Sequence, residues 1–366
     1  MFRRAPIVFA SLVLFGLPLA AKEPMQRISG PFTQSNLSVF LLHGKDTLPS
    51  DRKLMTLDEA IQKKKLIVHE TSNVNQLAIE NISDDADVFV QSGDIVKGGK
   101  QDRLIACDMV VPPKSGKLPI GSFCCENGRW TKRGSESTAE FGGSTNQAGN
   151  KALKLALNAS RNQNEVWAKV QEAQRKLTEN VGKPVSNAQS PSSYQLTLED
   201  KDVLAKVDAY LKELTKVAAD NADAIGFVIV INGKVEGAEL YGSHSLFLKL
   251  WPKLIFGAAV DALSEFKAEK TFTLPTDKDV AKFLADAGEG KEKEIIPSTA
   301  TAQQMRYPTV GSQPQQADPA VTGTSKKDTT KTSRVLVVST ENDKTVLLEA
   351  RDRKDNTIVH RSYIAK

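Results

Sequence analysis

The decisive stretch is Gln91-Ser-Gly-Asp-Ile-Val-Lys-Gly-Gly-Lys-Gln-Asp-Arg103, a polar, glycine-rich segment between the strand-like runs Val88–Gln91 and Leu104–Val111. Closely spaced strands joined by turn residues are typical of antiparallel sheets. Outward from this stretch, further short apolar runs lie at Leu37–His43, Leu66–Glu70, Leu77–Ile82 and Leu118–Glu126. We therefore predict an antiparallel β-sandwich or open barrel for the N-terminal half.

Helical and hairpin patterns dominate the next part of the chain, after a long loop predicted over residues 131–162. Apolar residues at helical spacing follow Thr197, and Leu246–Phe266 has a second, largely apolar helical pattern. Between them, two strand-like runs flank Asn232-Gly233, a strong signal for a two-residue hairpin. The sequence thus predicts an α+β fold, with a helix–hairpin–helix half after the β-rich half.

The C-terminal end has the pattern of a β-meander. Arg334–Thr340, Thr345–Arg351 and Thr357–Ile364 alternate apolar and polar residues and are joined by turn residues. Residues 297–333 are rich in Thr, Ser, Gln, Pro and Lys, which is typical of a linker. We predict four segments: a signal peptide (1–21), an α+β domain (22–296), a low-complexity linker (297–333) and a three-stranded β appendage (334–366). Residues 297–366 are the predicted contact surface for any protein partner.

The N-terminus has the features of an export signal. Met1-Phe-Arg-Arg is basic, Ile7 to Leu19 is apolar, and Pro18-Leu-Ala-Ala21 ends in small residues. The apolar run is too short for a membrane span, and we expect none elsewhere. Removing the signal lowers the formal charge from +5 to +3, too small an excess to indicate nucleic-acid binding. We expect a soluble protein that is periplasmic or secreted.

Three cysteines in an exported chain favour one disulfide. If Leu104–Val111 and Leu118–Glu126 form a hairpin centred between Ser115 and Gly116, Cys107 lies opposite Cys124. We predict that this pair is bonded and that Cys125 is free. The alternative is three buried cysteines without a bond.

Several short segments resemble one known family. They are Gly93-Asp94, Gly98–Arg103, Val111-Pro112 with Ser115, Cys124–Glu126 and Gly128–Trp130. Together they resemble the ARG- and Rhodanese-Phosphatase-superfamily-associated protein domain, and Thr56–Ala60, Ala224–Gly233 and Trp251–Leu254 are similar to its flanking segments. The resemblance covers about residues 30–270 and implies no established activity. The family's name points to nucleotide or ADP-ribose metabolism by association alone.

Segment 92–133 is strongly basic, with eight Lys and Arg against four Asp and Glu. Glycines let backbone N–H groups approach a ligand, and Lys or Arg can hold a phosphate or carboxylate. We predict a binding site for a small anionic ligand. Its members are Gly93, Gly98, Gly99, Lys100, Gln101, Arg103, Arg129 and Trp130. The equally weighted alternative is a glycine turn with solvated charges.

Two carboxylates of this segment, Asp94 and Glu126, can act as a catalytic acid and base if the fold brings them together. The alternative is that they cap turns or pair with Lys and Arg. The four histidines, His43, His69, His244 and His360, lack ligand spacing, so we expect no metal site. No G-x-G-x-x-G motif occurs, and we expect no cofactor.

Three classes of function stay open on the sequence. We favour an exported binding module for an anionic or nucleotide-like ligand. The second class is a hydrolase that uses Asp94 or Glu126, with Lys100 and Arg103 neutralising substrate charge. The third is an envelope structural or interaction protein.

Overall fold

The computed structural model describes residues 25–147, 151–268, 271–297 and 332–366. The predicted signal peptide, 1–21, lies outside the described residues, as does nearly all of the predicted linker. None of the helices in the described ranges is both long enough and apolar enough to cross a membrane.

Strands make up most of the framework. In chain order they are β1 (Met25–Gln34), β2 (Leu37–Gly44), β3 (Leu54–Thr56), β4 (Leu66–Asn73), β5 (Gln76–Asn81), β6 (Asp87–Val90), β7 (Asp94–Gly98), β8 (Arg103–Ile105), β9 (Met109–Val111), β10 (Lys117–Cys124), β11 (Glu140–Gln147), β12 (Ala224–Ile231), β13 (Lys234–Tyr241), β14 (Lys291–Ile295), β15 (Val335–Glu341), β16 (Thr345–Asp352) and β17 (Ile358–Ala365). Most follow the apolar runs of the sequence, whereas β1, β3, β7, β11 and β14 were not predicted. The long loop predicted over residues 131–162 is wrong where β11 pairs with β4 and β7 in the barrel.

Six of the seven described α-helices begin at a polar capping residue. They are α1 (Leu57–Gln62), α2 (Lys151–Leu155), α3 (Gln163–Val181), α4 (Tyr194–Leu198), α5 (Lys201–Ala219), α6 (His244–Ser264) and α7 (Asp277–Ala287), with a π-helix at Ala156–Ser160 after α2. Thr56 and Glu59 form the capping box of α1, and Asp200 caps α5. The helix α7 was not predicted from the sequence.

The strands form three sheets. One is an eight-stranded antiparallel sheet in the order β1-β2-β12-β13-β17-β16-β15-β14. Another is a closed six-stranded barrel, β10-β5-β4-β11-β7-β8, and the smallest is β3-β6-β9. The predicted α+β class, with an antiparallel β-rich N-terminal half, is confirmed, and the barrel is closed.

The C-terminal meander is part of the large sheet. β17 pairs with β13, so β15–β17 continue the sheet that β2, β12 and β13 begin. Asn232 and Gly233, at φ +53° and +77°, make the tight turn between β12 and β13. Strands β15–β17 therefore share a sheet with strands of the predicted α+β domain.

Apolar side chains fill both faces of this sheet and the barrel. The largest core lies between the sheet and helices α3, α5 and α6, and includes Phe227, Tyr241 and Leu254. A second core, with Val96 and Ile120, fills the barrel. A third core lies between the other face of the sheet and helix α7. The barrel and sheet are thereby packed around shared layers of buried side chains.

The predicted strand Leu104–Val111 is interrupted, and this changes the cysteine geometry. β8 pairs with β10 in the barrel, whereas β9 pairs with β6 in the small sheet. Cys124 consequently lies opposite Arg103 rather than Cys107. The predicted Cys107–Cys124 disulfide is wrong, because all three cysteines are buried free thiols.

We expect these thiols to be unreactive in the folded protein. Burial raises the pKa of Cys107 to about 12 and that of Cys124 to about 11, and it raises the pKa of Cys125 as well. A thiol titration at pH 8 without reductant should detect almost no thiol in the native state and three per chain in denaturant. Detection of a single thiol in denaturant would restore the disulfide.

Candidate functional site

The charged residues of the glycine-rich segment are largely buried, and they pair with charged residues elsewhere in the fold. Asp102 is fully buried and accepts two hydrogen bonds from the Arg133 guanidinium, each 2.8 Å long. Its Oδ1 also accepts from the Gly98 N–H at 2.9 Å. Burial acts to lower the pKa of Arg133, but Asp102 and Glu136 outweigh it and raise that pKa above its usual value. This bidentate pair holds the turn after β7 in place.

Glu126 belongs to the same buried network. Its Oε1 accepts from the Asp102 N–H at 2.6 Å and from Arg129 Nε at 2.8 Å, and its Oε2 accepts from the Ser190 hydroxyl at 2.6 Å. Arg129 also donates to the carbonyls of Gly98 and Thr131. Glu126 and Arg129 are therefore both hydrogen-bonded to other groups of the protein.

The other predicted ligand-binding residues have mixed environments. Arg103 is 1% exposed and donates to the Gln101 carbonyl at 2.9 Å. Lys100 extends to the Ser72 hydroxyl, while Trp130 is 47% exposed. Gly99, at φ +55°, lies so close to the Phe141 ring that a Cβ would be 2.3 Å from it. Anion binding at this segment stays a prediction, and the structure provides intramolecular partners for Arg103, Arg129 and Lys100.

Asp94 and Glu126 are not brought together. Asp94 begins β7, whereas Arg129, the partner of Glu126, contacts the carbonyl of Gly98 at the end of that strand. A strand of five residues spans about 13 Å between its first and last Cα atoms. The two carboxylates therefore belong to separate networks at opposite ends of β7.

Asp94 instead joins a buried lysine and a second carboxylate. Lys253, on α6, donates to Asp94 Oδ1 at 2.5 Å and lies 3.5 Å from Asp58 Oδ2. Asp94 Oδ2 accepts from the Gln91 N–H at 2.9 Å, which fixes the carboxylate. Asp58 comes from the first turn of α1, oriented by the capping box. Three distant segments thus supply the triad Asp58–Lys253–Asp94.

The triad is electrostatically asymmetric. Burial acts to lower the pKa of Lys253, but Asp94 and Asp58 outweigh it and raise that pKa. Burial, together with the nearby Asp94 charge, raises the pKa of Asp58 to about 6 against the opposing effect of Lys253. Lys253 is thus held as an ammonium ion beside Asp94, and Asp58 can gain or lose a proton near neutral pH.

Two members of the triad, Asp58 and Lys253, line a cavity of about 380 Å³. Its apolar lining is Leu204, Leu211, Pro252 and Phe256, and its polar lining is Thr56, Asp58, Glu59, Gln62, Lys249 and Lys253. Asp58 Oδ1 is buried and has no hydrogen-bond partner among the described residues. A pocket with one apolar side and a few convergent polar groups is typical of a small-molecule site.

The comparison with family models gives one match. A family model described as the ARG and Rhodanese-Phosphatase-superfamily-associated Protein domain, ARPP-1, matches residues 26–346. The chain belongs to this family. The match confirms the predicted resemblance and extends it into the C-terminal meander. Three segments that resemble ARPP-1, namely Thr56–Ala60, Gly93-Asp94 and Trp251–Leu254, supply the triad. No curated protein and no solved structure matches the chain.

A second buried charge network was not found from the sequence. His360, on β17, lies between Asp108, 2.6 Å from its Nδ1, and Glu239, 2.8 Å from its Nε2. Glu239 also accepts from Lys154 at 2.6 Å. Asp108 Oδ1 accepts from the Ser92 N–H, which links this network to the glycine-rich segment. Isolated histidines in a sequence carry no signal of such partners. Asp58 and Lys253 were missed as well, although their segments were recognised.

The His360 network should make stability depend on pH. Burial opposes the charge of His360, but Asp108 and Glu239 raise its pKa to about 9 from 6.5. Burial also opposes the charge of Glu239, but Lys154 and His360 lower its pKa to about 2 from 4.5. The His360 contribution is complete below pH 6.5 and lost as the pH rises through 9. The Glu239 contribution is complete above pH 4.5 and lost as the pH falls toward 2.

We expect His360→Gln to lower the free energy of unfolding by about 3–5 kcal/mol at pH 5.5, because it leaves buried carboxylates unpaired. The loss should shrink above pH 9. Urea unfolding at pH 5.5, 7.5 and 9.5 measures this. His69→Gln is the matched control, since His69 pairs with Glu80 on the barrel surface; it should cost about 1 kcal/mol or less. Equal losses in both variants would contradict the stabilising role of the buried His360 network.

Proposed function

We propose that this protein is an exported binding protein whose small, nucleotide-like ligand occupies the cavity beside Asp58 and Lys253. The observation that carries the proposal is that Asp58 lines the cavity and that its buried Oδ1 has no hydrogen-bond partner among the described residues. A buried acceptor without a partner is costly, and a ligand donor relieves that cost. Export is supported by the composition of residues 1–21.

The lining favours a ligand with two different faces. Leu204, Leu211 and Phe256 offer an apolar surface for a ring. On the polar side, carboxylates such as Asp58 and Glu59 accept hydrogen bonds from sugar hydroxyls, as acidic residues do for ribose in nucleotide sites. These features favour the Asp58 cavity over the paired arginines of the glycine-rich segment as the position of the proposed ligand.

Thermal unfolding with nucleosides, nucleotides, ADP-ribose and sugar phosphates tests this proposal. A ligand at a hundred times its dissociation constant adds about 2.7 kcal/mol, or ~5 °C in midpoint for a chain of this size. We expect Asp58→Asn to abolish the shift because the amide offers one acceptor fewer. Lys100→Ala is the control and should keep the shift. A shift that Lys100→Ala removes and Asp58→Asn retains would place the ligand at the glycine-rich segment instead.

Hydrolysis is the second candidate function, and the pKa of Asp58, about 6, favours it. A carboxylate that titrates near neutral pH can take a proton from an attacking water. Asp94, one of the two predicted catalytic carboxylates, is paired with Lys253. Glu126, the other, is paired with Arg129 and accepts a hydrogen bond from Ser190. Asp58 therefore replaces them as the proposed general base.

If a ligand from the screen is also turned over, kcat should rise with pH through about 6 and then level off. Asp58→Asn should lower kcat by about 10²–10⁴-fold, the usual contribution of a general base. Product formation followed by chromatography from pH 4.5 to 8 measures both. A flat profile, or full activity in Asp58→Asn, would exclude Asp58 as the base. If the protein neither binds nor turns over any of these ligands, the result would favour an envelope interaction protein.

A further inference from the structure

A serine, a histidine and an aspartate form a continuous hydrogen-bonded chain at one edge of the large sheet. Ser29 Oγ lies 2.6 Å from His43 Nε2, and His43 Nδ1 lies 2.7 Å from Asp223 Oδ1. If Nδ1 carries the proton and donates it to the Asp223 carboxylate, Nε2 is the acceptor for the Ser29 hydroxyl. One tautomer of His43 satisfies both contacts.

The strand pairing explains how the three residues meet. His43 on β2 pairs with Ala224 at the start of β12, so Asp223 reaches it from the preceding turn. On the other side of β2, Ser29 pairs with Leu41 and Phe32 pairs with Val39, so β1 has one residue more than β2 between these two pairs. This extra residue on β1 is a β-bulge, a device that changes the direction of a side chain and is frequent beside active sites.

The three residues differ in exposure. Ser29 is half-buried on the outermost strand, and the following Gly30 and Pro31 are exposed. His43 is 1% exposed, and Asp223, which also pairs with Arg27, is 52% exposed. A small molecule can therefore approach Ser29 from the sheet edge, while the imidazole behind it is shielded from water.

A purely structural role would need only that the buried His43 have polar partners. The order hydroxyl, imidazole, carboxylate is also the order in which a serine is activated for acyl transfer. We propose that Ser29, His43 and Asp223 form a second site, a serine-nucleophile site for small carboxylic esters. Ser29 is the nucleophile, His43 the general base and acid, and Asp223 the residue that orients the imidazole.

The reaction is an ester hydrolysis with water as co-substrate. Ser29 Oγ bonds to the carbonyl carbon while His43 Nε2 takes the hydroxyl proton. The bond from the carbonyl carbon to the alkoxy oxygen then breaks, and the alcohol leaves with the proton from His43. Water attacks the acyl-serine ester, again giving its proton to His43, and the carboxylic acid leaves as Ser29 regains the proton.

This site is separate from the proposed ligand cavity. It is built from β1, β2 and the turn before β12, whereas the cavity is lined by residues of α1, α5 and α6. Its activity neither requires nor excludes a ligand beside Asp58. The two proposals can therefore fail independently.

The test is labelling of the full folded chain with a fluorophosphonate, which forms a covalent adduct only with an activated serine. Peptide mass spectrometry should place the label on Ser29. His43→Gln should slow labelling by about 100-fold or more, the usual range for loss of a general base, and Asp223→Asn should slow it as well. Ser29→Ala should abolish both labelling and the release of 4-nitrophenol from 4-nitrophenyl acetate.

Ser38→Ala is the matched control. Ser38 bonds to the Thr33 hydroxyl across the same two strands, without an imidazole partner, at 2.8 Å. This variant should label at the wild-type rate. Thermal midpoints of the four variants show whether a loss of labelling is a loss of fold.

Two results would overturn the proposal. One is the absence of label from Ser29 in the folded wild-type protein, a measurement that needs no variant to fold. The other is an unchanged labelling rate in a folded His43→Gln variant. Either result would make the three residues a structural hydrogen-bond chain at the sheet edge.

Discussion

Charges buried between the barrel and the large sheet must be paired, and this requirement governs the arrangement of both. Asp108 follows a barrel strand, while His360 and Glu239 belong to strands of the sheet. An unpaired charge at such a depth would cost several kcal/mol, so the two units are stable only when these groups meet. Lys253 and Asp94 impose the same condition between α6 and β7.

The same pairing explains what the glycine-rich segment does in the fold. Asp102, Glu126, Arg129 and Arg133 neutralise one another beneath the turn after β7. Their hydrogen bonds hold the barrel end rigid and leave few donors for a ligand. Among the described residues, buried polar atoms without a partner occur in both places: Gln101 Oε1 and Arg103 Nε in the glycine-rich segment, and Asp58 Oδ1 on a residue that lines the cavity. The cavity is therefore what favours the Asp58 side for the proposed ligand.

The C-terminal strands take part in this arrangement. Gln91, which fixes Asp94 through its N–H, also accepts a hydrogen bond from Tyr241 at 3.1 Å, and Tyr241 stacks on His360. The meander that supplies His360 thus supports the segment that supplies Asp94.

Local signals in the sequence were enough to determine the family, the α+β class, the Asn232-Gly233 hairpin, the capping box of α1 and the meander strands. Each depends on residues close together in the chain. The tertiary structure alone decided that Leu104–Val111 divides between two sheets, that Cys107 and Cys124 stay apart, and that Asp94 pairs with Lys253 rather than Glu126. These outcomes depend on which distant segments share a buried layer, because pairing of strands and charges is settled by packing across the whole chain.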